Sequence, residues 1–245
     1  MTHSEHKVIL ITGSAKRVGA AIAKALHKAH YNIVIHYRHS KTEAKQLVTE
    51  LNQIRKNSAI AIQADLNNFK TYQSFIEKAH QHWGRLDVLI NNASSFYSTP
   101  LGNVDEQQWN DLMASNLKAP FFLSQAAMPY LQQHQGCIIN IADVNGIRPI
   151  KTFSVYCTAK AALITLTKSL AIDLAPDIRV NAIAPGTVLK QKNADRQTRQ
   201  NYLKKTLLKR KGNVNDVMNA ILYLIQGANH MTGEVLVIDG GKLLA

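Results

Sequence analysis

Seven short runs of β-branched and aliphatic residues recur along the 245 residues, separated by longer stretches with apolar residues at helical spacing. No other feature constrains the fold as strongly. The expected strands are Val8–Thr12, Asn32–Tyr37, Ala59–Gln63, Val88–Asn91, Cys137–Ile141, Arg179–Ala184 and Val235–Ile238. Between them, helices are expected at Ala20–Ala29, Lys41–Ile54, a stretch ending near His82, Gln107–Leu117, Phe121–Leu131, Val155–Leu174 and Val217–Ile225. Strict alternation of this kind implies a parallel sheet with helices on both faces. The expected fold class is therefore α/β: a single doubly wound Rossmann-type parallel sheet of about seven strands, spanning residues 1–245. No Pro/Gly-rich linker divides the chain. The weakest stretch of the pattern is the polar, basic segment 186–213, which follows a strand end and is expected to be a substrate loop.

Composition narrows the class. Hydrophobic residues make up 46% of the chain, enough for a sizeable core. No apolar run approaches the roughly 18 residues of a membrane span, and no signal-peptide core precedes the first strand. Cys137 and Cys157 match no metal-ligand or redox spacing. A cytoplasmic protein with neither membrane nor metal is expected. The net charge of +13 is partly local: Lys190 to Lys211 holds nine Lys or Arg and one acid, Asp195. Such charge suits acidic small molecules, nucleic acid or an anionic surface, and equally a solvated loop.

Thr12-Gly13-Ser14-Ala15-Lys16-Arg17-Val18-Gly19 lies between the first strand and the first helix. Glycine in that place permits a tight turn and lets backbone N–H groups approach a phosphate. A plain strand-to-helix turn would use glycine too. Its middle position, often glycine, holds Arg17, which can pair with a pyrophosphate or point to solvent. The end of the second strand chooses the cofactor. A ribose 2′-hydroxyl is usually held there by Asp or Glu, but the segment is His36-Tyr37-Arg38-His39-Ser40, and the first acid is Glu43. A planar cation and a hydroxyl suit a 2′-phosphate, so NADPH is expected. Asp65 and Leu66 follow the third strand, where the acid can accept from an adenine amine or cap the next helix. Asn92, Ala93 and Ser94 follow strand four, beside the expected crevice.

Tyr156 and Lys160 are spaced i, i+4, on one face of the long helix. A free phenol, with a pKa near 10, is a poor acid at neutral pH, and a nearby ammonium and an oxidised nicotinamide are expected to lower it. With these residues on the page, the chain resembles the short-chain dehydrogenase/reductase family over nearly its whole length. The matches are Thr12-Gly13 to Gly19, Asn91-Asn92-Ala93, Asn116, the Tyr156/Lys160 pair and Pro185-Gly186. The resemblance implies that Tyr156 donates the proton, Lys160 binds ribose and tunes Tyr156, and Asn116 serves a water or proton relay. It also implies dinucleotide contacts from the phosphate loop, Asn92 to Ser94, Pro185 and Gly186, and a homotetramer with the long helix in an interface.

One position departs from the family. Thirteen residues before the tyrosine, a serine usually holds a substrate carbonyl; here Asp143 stands there. A carboxylate repels an oxygen that is gaining charge, and suits N–H donors or a ring nitrogen awaiting a proton. It would also serve as a helix cap. With Arg17 and the run from Asn92 to Tyr97, Asp143 makes the chain resemble pteridine reductases and the similar bacterial dihydromonapterin reductases. That resemblance implies a pterin bound by Ser94 and Phe96, with Arg17, Asp143 and Tyr156 beside it; a core phenylalanine is the plain alternative for Phe96. The expected reaction is NADPH-dependent reduction of a dihydropterin to a tetrahydropterin. A ketone or 3-oxoacyl thioester reductase is the first alternative, and a non-catalytic nucleotide-sensing or nucleic-acid-binding regulator the second.

Overall fold

The computed structural model describes residues 6–187 and 206–245. Its seven strands are β1 (Val8–Ile11), β2 (Asn32–Tyr37), β3 (Ala59–Gln63), β4 (Val88–Asn91), β5 (Cys137–Ile141), β6 (Arg179–Pro185) and β7 (Val235–Ile238). They form one sheet in the order β3-β2-β1-β4-β5-β6-β7, with every pair parallel. The register places Leu10 beside both Val34 and Leu89. Parallel strands covered on both faces should be apolar at consecutive positions, and all four residues of β1 are buried.

The pleat divides those residues between two cores. Ile9, Ile11, Ile33, Ile35, Ile90 and Ile139 face α1 (Arg17–Lys28), α2 (Lys41–Ile54) and, later in the chain, Val214–Gln226. Val8, Leu10, Val34, Leu89, Ile138 and Val180 face α3 (Tyr72–Gln81) and the helices Ala119–Gln132 and Ser154–Leu174. In chain order, α4 is Glu106–Met113, α5 is Ala119–Gln132, α6 is Ser154–Leu174 and α7 is Val214–Gln226. α6 is long and apolar enough to cross a membrane by composition, yet half of it is buried within the fold, as in a core helix.

The boundaries differ from the sequence expectation in informative places. β1 stops at Ile11, because the Thr12 hydroxyl and carbonyl turn to the neighbouring loop. α1 begins at Arg17, three residues early. The two helices expected at Gln107–Leu117 and Phe121–Leu131 are joined by a π turn, Ala114–Lys118, in which the Ala119 N–H reaches back to the Ala114 carbonyl. Pro120 has no N–H to give to the Asn116 carbonyl four residues earlier, so the helix widens at that point. Of the expected loop 186–213, residues 188–205 lie outside the described residues, and with them most of the basic run. Within the described remainder, Thr206 is buried and Arg210 pairs with Asp216 at 3.3 Å.

The order reverses between β1 and β4, where one half of the sheet runs to β3 and the other to β7. Such a switch point opens a crevice at the strand carboxyl ends, and the chain segments that follow β1 and β4 meet there. Leu10 is fully buried on the central strand. Leu10→Ala should lower unfolding stability in urea by about 2–5 kcal/mol, whereas Ile54→Ala, at an exposed position, should stay within about 0.5 kcal/mol of the parent.

Candidate active site

The phosphate loop is shaped by two backbones meeting at the crevice. Gly13 has φ +62°, and a Cβ there would come within 2.9 Å of the Ala93 Cα. Gly19 is equally constrained: a Cβ would press on the Gly13 carbonyl and come within 2.8 Å of the Asn92 amide nitrogen. The Thr12 hydroxyl accepts from the Asn92 and Ala93 N–H groups, both at 2.9 Å. The Asn92 side chain returns the contact, donating to the Thr12 carbonyl at 2.8 Å and the Gly13 carbonyl at 3.2 Å. Thr12 thus has a structural task that spacing alone did not reveal.

This cradle fits a dinucleotide pyrophosphate. α1 starts directly after it, and no side chain caps its N-terminus, which leaves N–H donors and the positive end of the helix dipole for an anion. Lys16, at the cap, pairs with Glu43 at 2.5 Å. Arg17 is exposed and holds φ +54°, a left-handed backbone that a side chain adopts at some cost. Val18 packs partly against the core behind the loop.

At the carboxyl end of β2, Arg38 and His39 are exposed. Ser40 caps α2 without a side-chain bond, so its hydroxyl is available. The Arg38 Nε is paired with Asp65 Oδ1 at 3.0 Å. Asp65 does not cap α3; it accepts from the Asn67 N–H at 3.0 Å, and α3 follows a separate turn capped by Asn68. Tyr37 and Leu66 are buried in the two cores, so only their backbones can face a ligand. His36 departs furthest from its expected place among cofactor-contacting side chains. It is buried, at 2% exposure, with both ring nitrogens bonded inside the protein. Pro185 and Gly186 close the opposite wall, where Gly186 donates to the Ile238 carbonyl at 2.9 Å.

Across the crevice, Tyr156 and Lys160 occupy consecutive turns of α6, at 4% and 2% exposure. The Tyr156 hydroxyl donates to Asp143 Oδ2 at 2.7 Å. The other Asp143 oxygen accepts from the Asn145 N–H at 2.7 Å, capping the short turn Val144–Gly146. Asp143 is therefore both a cap and a partner of the tyrosine. Lys160 donates to the Ile141 carbonyl at 2.8 Å and sits 5.9 Å from the Tyr156 ring centre. Gly146 makes this packing possible: a Cβ there would lie 2.8 Å from the Lys160 backbone.

The electrostatics correct the part of one expectation that rested on Lys160. Burial raises the Tyr156 pKa above the ordinary phenol range, and the Asp143 charge and hydrogen bond add to that, while Ser94 opposes it. Lys160 does not bring the phenol down in this arrangement; its own pKa is lowered to about 8 by burial, with Asp143 acting in the opposite sense. The site thus holds a protonated phenol and a lysine that gives up its proton readily.

Asn116 lies in the π turn, and its side chain serves the Ser94 segment. It donates to the Ser95 carbonyl at 3.0 Å and the Leu112 carbonyl at 2.9 Å, and accepts from the Ser94 hydroxyl at 2.6 Å. No side-chain bond between Asn116 and Tyr156 or Lys160 occurs. Phe96 is half exposed and not a core residue. Its ring is edge-on to Tyr156 and stacked on Phe153, both at 4.7 Å. Phe153, at the N-cap of α6 just ahead of Tyr156, went unread in the sequence.

Residues 13–242 match the family model described as Enoyl-(Acyl carrier protein) reductase. Pteridine reductase 1 of Leishmania tarentolae is 34% identical, covering 97% of this chain and 96% of its own. The 3-oxoacyl-(acyl-carrier-protein) reductase FabG of Staphylococcus aureus is 33% identical, covering 97% and 98%. Glucose 1-dehydrogenase 2 of Bacillus subtilis is 31% identical, covering 97% and 95%.

The buried Lys160 makes a prediction about pH. Its folded-state pKa of about 8 lies below the ordinary 10.5. Between those values the unfolded chain binds a proton that the folded chain has shed, so this group makes stability rise with pH across that window. Lys160→Met should remove that rise. In urea titrations, the stability of the variant relative to the parent should be greatest near pH 7 and decline toward pH 10. A difference that is flat over this range would contradict the assignment.

Proposed function

The chain belongs to the short-chain dehydrogenase/reductase family and is an NAD(P)-dependent oxidoreductase, and we propose that it reduces a dihydropterin to a tetrahydropterin with NADPH. The observation that carries this reading is the 2.7 Å hydrogen bond between Tyr156 and Asp143. A carboxylate stands where a carbonyl reductase of this family has a hydroxyl. It opposes negative charge on a ketone oxygen and favours a substrate that presents N–H groups and a ring nitrogen to be protonated. The half-exposed Phe96 ring beside Tyr156 offers a flat apolar face to a heterocycle. The pteridine reductase relative supports the same substrate class.

NADPH, when bound, supplies the hydride for an electron-poor ring carbon. The chain does the rest. The loop from Gly13 to Gly19 and the N-terminus of α1 hold the pyrophosphate, with Arg17 alongside. Arg38, His39 and Ser40 receive the 2′-phosphate, Asp65 the adenine side, and Asn92, Ala93, Pro185 and Gly186 the crevice walls. Lys160 binds ribose. Tyr156, kept protonated by burial and by Asp143, delivers its proton to the substrate nitrogen, and the Asp143 carboxylate supports that transfer. Ser94, held by Asn116, and Phe96 position the substrate. A cytoplasmic enzyme and a homotetramer complete the reading. The exposed Ile172 on α6, at 78%, suits an interface on that helix, and light scattering at micromolar concentration should return a tetramer mass.

Two substitutions test the chemistry. Asp143→Ser restores the usual hydroxyl and should cut kcat on dihydropterins on the order of 10²-fold, with NADPH affinity retained. Unchanged dihydropterin turnover would remove Asp143 from the proton transfer, and turnover of acetoacetyl thioesters by the wild-type enzyme would favour a carbonyl substrate. Arg38→Ala should raise KM for NADPH far more than for NADH; equal effects would remove Arg38 from the 2′-phosphate site.

A further inference from the structure

His36 lies at the end of β2, under the phosphate loop and away from the reacting groups. Its imidazole Nδ1 is 2.9 Å from the Gly13 backbone nitrogen, and its Nε2 is 3.1 Å from the Ala64 carbonyl oxygen. The first partner can only donate and the second can only accept. One arrangement satisfies both: a neutral ring with its proton on Nε2 and its lone pair on Nδ1 directed at the Gly13 N–H. The main chain of the same residue grips the loop as well. The Ser14 N–H donates to the His36 carbonyl at 3.0 Å, the His36 N–H donates to the Ser14 hydroxyl at 3.1 Å, and that hydroxyl donates to the Ile11 carbonyl at 2.7 Å.

We propose that His36 is the positioning residue of the phosphate loop: a neutral imidazole, fixed in one tautomer, that ties Gly13 to the end of β3 without touching the cofactor. Gly13 is the residue whose left-handed backbone lets the loop approach Ala93. Its N–H, which would otherwise point toward a bound phosphate or be left unpaired, is committed to the ring. The donors left for the pyrophosphate are then those at the start of α1. Burial supports the neutral form and holds the pKa down to about 4, against the Ala64 hydrogen bond and the Asp65 charge, which act the other way. Phe75 packs against the ring, with centroids 5.0 Å apart. This inference requires dinucleotide binding alone and is independent of the pterin reading.

A direct 2′-phosphate ligand and a brace predict different things. The brace shapes the part of the site shared by NADPH and NADH. By fluorescence titration, His36→Leu should therefore weaken both cofactors by a similar factor, about tenfold or more for an orphaned N–H, with kcat at saturating cofactor within about threefold of the parent. His36→Asn, whose amide oxygen can take the place of Nδ1, should recover most of the affinity for both. Nitrogen NMR of the wild-type ring should show the neutral Nε2–H tautomer at pH 6, a readout that does not depend on any variant folding. Loss confined to NADPH in His36→Leu, unchanged affinity in that variant, no recovery in His36→Asn, or an Nδ1–H or charged ring would each overturn the proposal.

Discussion

The contact on which the rest of the site depends is the meeting of two backbones at the carboxyl ends of β1 and β4. Gly13 and Ala93 approach so closely that a single Cβ would not fit between them, and the Thr12 hydroxyl holds the approach by accepting two N–H groups from the neighbouring loop. This contact spans the place where strand order reverses. With the two strand ends tied together, the chain after β1 must rise and enter α1 with its N-terminus facing the crevice, and the chain after β4 must carry Ser94 and Phe96 toward α6. The cofactor cradle and the substrate wall are consequences of the same junction.

On the far wall the controlling feature is a trio of titratable groups, of which Tyr156 and Lys160 are buried. Tyr156, Asp143 and Lys160 lie within a few ångströms of the β5 end, and taking them from water disfavours charge on the phenol and the amine alike. Asp143 resists this for Lys160 and reinforces it for Tyr156, since a carboxylate stabilises a neighbouring cation and opposes a neighbouring phenolate. A reductase consumes a proton at each turnover, and a phenol held in its acid form is the state that the proposed proton transfer requires. One side chain thirteen residues before the tyrosine changes what the site can accept from or donate to a ligand.

Several features of the candidate site were legible in the sequence. Gly13 and Gly19, the i, i+4 pair Tyr156 and Lys160, the absence of an acid after β2, and Asp143 all follow from residue type and spacing. Others were misplaced because their roles depend on neighbours remote in sequence. His36 stood in a basic segment and read as a cofactor contact, but β2 is covered on both sides and its ring has no route to the crevice. For Asp65, read as an adenine ligand or a cap, the sequence did not show the pairing with Arg38, 27 positions earlier. Phe96 had a core alternative that its half exposure removes.

The sequence by itself determined the order of strands and helices, because apolar periodicity is local and seven mostly apolar runs alternating with helices are satisfied in a sheet covered on both faces. It also determined the chemical inventory at the strand ends, since a loop after a buried strand has one place to go. Only the tertiary structure decided how those groups are paired and charged. Burial depth, the tautomer of an imidazole and the direction of a phenol's pKa arise from atoms brought together across 13 to 28 positions of chain. No pattern within one element records which partner each group will find there.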